Sequence, residues 1–171
     1  MPSPRFLLAL ILVLLGGCRA APPVFTQTQR DSLATEVRQA VGQLTEAMNA
    51  HDPTRVLSFY RDTEDFVYLG CTDLMFGSAF FKGIVGPYYI NNPEVTFRRE
   101  ILRVQVLGPS SAVVTLQGGS TETEALFWTQ VLTREDDGRW LISHEHASWP
   151  GCKVPPPLHP TGRPGGSGVG S

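Results

Sequence analysis

Apolar side chains recur along this chain with two different periods, and the change of period divides it. From Thr28 onward, Leu33, Val37, Val41, Leu44 and Met48 recur every three or four residues, the stripe of one helix face. The Thr28 hydroxyl can cap that helix, Asp31 sits near the positive end of its dipole, and the stripe ends near Ala50. Asp52 and Pro53 suit an N-cap and a first helical position, so a second, short helix is expected through Val56, Leu57, Phe59 and Tyr60. His51 lies in the joint between the two and is expected at the surface. Asp65–Gly70 reads as a strand, followed by a turn at Cys71-Thr72-Asp73 and a short run Leu74–Phe76. Gly77-Ser78 can open a third helix carrying Phe80, Phe81, Ile84, Val85 and Tyr88, which Gly83 and Gly86-Pro87 should shorten or break.

After Asn91-Asn92-Pro93 the period becomes two. Glu94–Leu107 alternates, with Leu102, Val104 and Val106 on one face and Arg99, Arg103 and Gln105 on the other. Turn residues at Gly108-Pro109-Ser110, Gly118-Gly119-Ser120 and Asp136-Asp137-Gly138 separate this strand from Ser111–Gln117, Glu124–Arg134 and a final strand. Short connections make these four strands antiparallel neighbours. In the final strand, Gly138–Trp149, strict alternation puts Trp140, Ile142, His144, His146 and Ser148 on one face. Leu141, Ser143, Glu145, Ala147 and Trp149 take the other. Two imidazoles among aromatics form the densest patch of candidate chemistry.

Length and composition narrow the class. With 171 residues, 42% hydrophobic and 18% charged, the chain suits one domain with a real core. A formal charge of −2 supplies no basic face for nucleic acid, and Arg98, Arg99 and Arg103, interrupted by Glu100, read as a solvated strand face. Arg5 followed by the apolar run Phe6–Leu15 is a signal-peptide pattern, too short to span a bilayer. Leu14-Leu15-Gly16-Gly17-Cys18 resembles the bacterial lipobox, which implies cleavage before Cys18 and acylation of its thiol and amino group. Several acyl chains on one residue anchor stably where one would be marginal. The expected divisions are a signal peptide over 1–17, a lipid-anchored tether over 18–27, a domain over 28–150 and a disordered Pro- and Gly-rich tail over 151–171. The expected location is the cell envelope, outside the cytoplasmic membrane; by the same resemblance Arg19, where an Asp would argue for inner-membrane retention, favours the outer membrane or periplasmic side.

The order of elements, helix, helix, hairpin, helix and four meandering strands, is an α+β plan. It is similar to the SnoaL-like branch of the nuclear transport factor 2-like superfamily, which includes ketosteroid isomerases. The resemblance is carried by Ala47-Met48-Asn49-Ala50-His51-Asp52, Phe59-Tyr60, Ser111-Ala112-Val113-Val114 and Trp140–Ser148. It implies a conical fold, three N-terminal helices packed on a curved, mostly antiparallel sheet around a pocket, and a tendency to form homodimers. It also implies that the first strand runs parallel to the last. The thiols left after processing, Cys71 and Cys152, follow those strands, so the resemblance implies a Cys71–Cys152 disulfide, in keeping with an oxidising compartment. The isomerase pattern needs a tyrosine near Leu44 and a carboxylate base near Leu69 or Gly70, and neither is present.

Two functions fit. In one, a non-catalytic pocket walled by Tyr68, Trp128, Trp140, His144 and His146 binds a small apolar or amphipathic ligand. In the other, His144 or His146 acts as a general base on a small substrate, with Tyr68 or Asp73 nearby. The two imidazoles would stand about 7 Å apart by strand rise. A His-x-His pair can ligate metal, but a stable site needs a third ligand, and none has motif spacing, so no metal and no cofactor are expected.

Overall fold

The computed structural model describes residues 25–71 and 73–152. The signal peptide, Cys18, most of the tether and the tail from Lys153 lie outside the described residues. Helix α1 (Gln27–Asn49) is followed by α2 (Pro53–Leu57), strands β1 (Val67–Gly70) and β2 (Asp73–Phe76), and α3 (Ser78–Asn91). Strands β3 (Phe97–Gly108), β4 (Ser111–Ser120), β5 (Leu126–Arg134) and β6 (Trp140–Ser148) complete one sheet in the order β2-β1-β6-β5-β4-β3. Among the described strands, β1 and β6 pair in parallel and the other neighbours are antiparallel. The fold is therefore α+β with a mostly antiparallel sheet. One long helix and one of five residues precede the sheet, and the third follows the β1–β2 hairpin, so three helices do not all stand at the N-terminus.

The predicted stripe of α1 is its buried face: Leu33, Val37, Val41, Leu44 and Met48 all enter the core. Its cap is Thr26 and not Thr28. The Thr26 hydroxyl accepts from Gln29 N, and the Gln29 side chain accepts from Thr26 N, a reciprocal capping box. Asp52 caps α2 as expected, accepting from Arg55 N at 2.9 Å. Helix α3 runs through Pro87 to Asn91 although the ring removes a backbone donor. Phe81, Val85 and Tyr89, spaced by four, are buried on one face, and that packing overrides the local penalty.

Two β-bulges decide which residues face the core. On β3, Ile101 pairs with Leu116 and Arg103 with Thr115, so Leu102 is an extra residue. Beyond it the alternation changes phase. Leu102 is exposed, Ile101, Val104 and Val106 pack against the core, and Arg99 is half-buried on the inner side. Arg99 thus leaves the solvated face assigned to it. On β6, Leu132 pairs with Ile142 and Val131 with His144, so Ser143 is the extra residue, and its hydroxyl donates to the Val131 carbonyl. Gly118 fits a third constraint: a Cβ there would collide with the Arg98 carbonyl on β3, so only glycine allows this close approach.

Cys71 and Cys152 form a disulfide across 81 residues, with Cα atoms 5.1 Å apart. The parallel β1–β6 pairing brings the strand ends side by side, and Cys71 N donates to the Ala147 carbonyl. Unfolding the unreduced mature protein should expose neither of these thiols to a titrating reagent. Replacing both by Ala should lower unfolding stability by about 4 kcal/mol, the loop-closure value, measured by urea denaturation. Two titratable thiols, or an unchanged midpoint, would contradict the crosslink.

Candidate functional site

The bulge at Ser143 turns Glu145 and Ala147 inward and His144 and His146 outward. His144 stands in register with Val67 and His146 with Leu69, on the sheet face away from the helices. Met75, Tyr68, Glu145 and Trp128 share the inner face, where a half-open cavity of about 450 Å³ lies between β1, β2, β6 and α3. Eight of its twenty lining residues are aromatic, and Asp73, Glu122 and Glu145 are its charged ones.

Glu145 is its deepest polar group. It is 5% exposed, and its Oε2 accepts from the Tyr60 hydroxyl at 3.1 Å and from Gln130 Nε2. Those bonds offset the cost of burying a carboxylate. Both end on Oε2, which leaves Oε1 to the cavity that Glu145 lines. Tyr60 is delivered by the segment after α2, which joins β6 ahead of the bulge. Ile142 N donates to the Phe59 carbonyl, and Arg61 N to the Ile142 carbonyl. Beyond Ser143, β6 changes partner to β1. The bulge therefore lies where β6 passes from one parallel neighbour to the next.

Aromatic rings supply the walls. Phe81 of α3 packs within 4.8 Å of Tyr60, 5.2 Å of Phe66 and 5.2 Å of Tyr68, centroid to centroid. Tyr68 lies across Gly70, where a Cβ would touch its ring. At the other end Tyr89 meets Tyr88 and Phe97 edge-on. Asn49 pins Phe97 by accepting from its backbone N–H at 2.7 Å and donating to its carbonyl at 3.0 Å. His51 is not a free surface residue. It is half-buried at φ 51°, bonds the Val95 carbonyl through Nε2 at 2.8 Å, and meets Tyr89 edge-on. Arg99 lies 5.1 Å from the Trp128 ring centroid and bonds Thr45 and Met48.

Of the residues predicted from sequence to line a pocket, Tyr68 and Trp128 do so, as does the accessory candidate Asp73. Trp140 does not. It is buried on the inner face before the bulge, where its indole N–H donates to Glu36. His144 and His146 do not either, because one inserted residue reverses their parity, and the histidine-base geometry is lost with them. Glu145 was missed for the same reason, since no residue type betrays the bulge; Tyr60 reads only as the end of the short helix, and Gln130 shares the Trp128 face of β5 with no signal of a partner. Among the described residues no cluster of three or more His, Cys, Asp or Glu could hold a metal, and no helix is long and apolar enough to cross a membrane.

The geometry has relatives. A SnoaL-like domain profile matches residues 37–151, about two thirds of the chain. The chain belongs to the SnoaL-like domain family. Solved structures share the fold of this SnoaL-like domain. A nuclear transport factor 2-like protein of unknown function from Shewanella oneidensis superposes with a TM-score of 0.57 at 18% identity, covering 67% of this chain and 97% of that one. A candidate dehydratase of the same superfamily from Streptomyces avermitilis gives 0.61 at 20% identity, covering 70% and 96%. A ketosteroid isomerase-like protein from Erwinia carotovora atroseptica gives 0.52 at 21%, covering 67% and 94%. At these identities the likeness is one of fold. No curated protein matches the chain.

All four tyrosines line the cavity, and each phenol has its pKa raised above the usual 10.0. Burial is the main cause for each. The Glu145 carboxylate adds to it at Tyr60 and Tyr68, Glu122 at Tyr88, and Tyr88 at Tyr89. The folded SnoaL-like domain keeps protons that the unfolded chain releases near pH 10, so stability present below that pH is lost above it. Phenolate absorbance should lag a free-tyrosine curve and rise together with loss of the circular dichroism signal. Four phenols ionising near pH 10 while the fold persists would contradict the buried placement.

Proposed function

We propose that this SnoaL-like domain binds a small, largely apolar molecule in the cavity beneath β6, as a binding protein and not a catalyst. The supporting observation is the cavity itself: about 450 Å³, half-open, with eight aromatic residues around one deeply buried carboxylate. That size and lining suit a drug-sized ligand held mainly by apolar contact and oriented by a few polar atoms. Relatives of the fold named as ketosteroid isomerase-like or as a candidate dehydratase support small-molecule occupancy. A catalytic role finds less support. His144 and His146 face away, and the group bonded to Glu145, Tyr60, keeps its proton well above neutral pH. We propose further that the domain hangs from the outer face of a bacterial membrane by an acylated Cys18, on the strength of the lipobox-like sequence before it.

The neutral dye N-phenyl-1-naphthylamine should bind with one-to-one saturation, brighten, and accept energy from Trp128 and Trp149. Ile84 lines the cavity yet is 42% exposed, so Ile84→Trp should fold normally and cut dye affinity at least tenfold by filling the space. Saturable binding that Ile84→Trp leaves unchanged would place the dye elsewhere and refute the cavity as the site. For the anchor, intact mass spectrometry of the protein extracted from its own membranes should show loss of residues 1–17 and added acyl mass on Cys18. An unmodified Cys18 would refute it.

A further inference from the structure

We propose that the cavity selects an organic cation, an ammonium group on an apolar body, over neutral or anionic molecules of the same shape, an inference resting on the ligand-site assignment above. Charge and aromatic geometry carry it independently. Among the described residues that line the cavity, three are carboxylates and none is Lys, Arg or His. Two of them, Asp73 and Glu122, are exposed, and the third, Glu145, is buried with Oε1 free of the bonds made to Oε2. An incoming cation would therefore meet one sign of charge from solvent to floor.

The rings supply the second argument. Tyr68, Tyr88, Tyr89, Trp128 and Trp149 surround the space, and the negative face of an aromatic ring attracts an ammonium group. Such rings stabilise a cation without demanding directional hydrogen bonds, as aromatic cages do for quaternary ammonium ligands. A neutral occupant would strip water from Glu145 and return no counter-charge, and an anion would be repelled. Arg99, which touches the wall ring Trp128, is not among the lining residues. It lies over the Trp128 ring and is bonded to Thr45 and Met48, so it balances part of the negative charge without occupying the space. Its position against Trp128 already shows this wall accepting a guanidinium.

Three phenyl probes with one tetrahedral substituent each test the proposal by displacing N-phenyl-1-naphthylamine: phenyltrimethylammonium, tert-butylbenzene and benzenesulfonate. The cation should bind at least tenfold tighter than the neutral isostere, and the anion weakest. Added salt should weaken the cation alone. Glu145→Gln should remove most of the cation preference while sparing the neutral probe. Because that variant disturbs a buried network, the double variant Asp73→Asn, Glu122→Gln changes only exposed positions and should reduce the preference several-fold. Equal affinity for the cation and its neutral isostere, with the dye still displaced, would overturn the cation proposal and leave the cavity as a ligand site. Failure of the dye and every probe to bind would overturn both.

Discussion

Between Val131 and Leu132 of β5, the facing strand β6 carries one residue more than the ladder needs. That residue, Ser143, ties its hydroxyl back to the Val131 carbonyl and lets the strand change phase. Before it, Trp140 and Ile142 point into the helix-covered core; after it, Glu145 and Ala147 point into the cavity. A period of two means that a one-residue slip moves every later side chain to the opposite face. Without the bulge the cavity would hold two imidazoles, and a carboxylate would face away from it. The change of phase coincides with a change of partner, from the Phe59–Arg61 segment to β1, and this puts the Tyr60 hydroxyl within bonding distance of Glu145.

The same geometry separates what the sequence makes legible from what it hides. Patterns confined to one segment were readable: the Leu33–Met48 stripe, the Asp52-Pro53 helix start and the turns between β3, β4, β5 and β6. Each is set by local sterics and by hydrogen bonds a few residues apart. The crosslink between Cys71 and Cys152 was legible only through the resemblance, which supplied the parallel pairing of β1 with β6. Parity beyond a bulge was not legible. Leu102 and Ser143 are ordinary strand residues, and their insertion is dictated by curvature and partner strands that are distant in sequence. Hence the pattern sets His144 and His146 on a pocket wall and Arg99 on a solvated face, and the structure reverses both. Pro87 misled for a related reason, since long-range packing of Phe81, Val85 and Tyr89 outweighs the proline's local cost.

An aromatic cavity of this kind should tend to close, because bringing its rings together would bury more apolar surface. Polar ties to parts of the chain remote in sequence oppose that collapse. Asn49 at the end of α1 holds the Phe97 backbone from both sides, and His51 holds Val95. Tyr60 is carried by the bridge to Ile142 and fixed by Glu145. At the mouth, Trp149 N donates to Cys152 Sγ and the Trp149 carbonyl accepts from Cys152 N, so the disulfide that closes the 81-residue loop also places a wall ring. These ties fix the backbone at the edges of the cavity, and contacts within the wall, Phe81 on Tyr60 and Tyr68 and Tyr89 on Tyr88 and Phe97, complete it. The opening therefore follows from where the backbone is tied together with which rings meet at its edges.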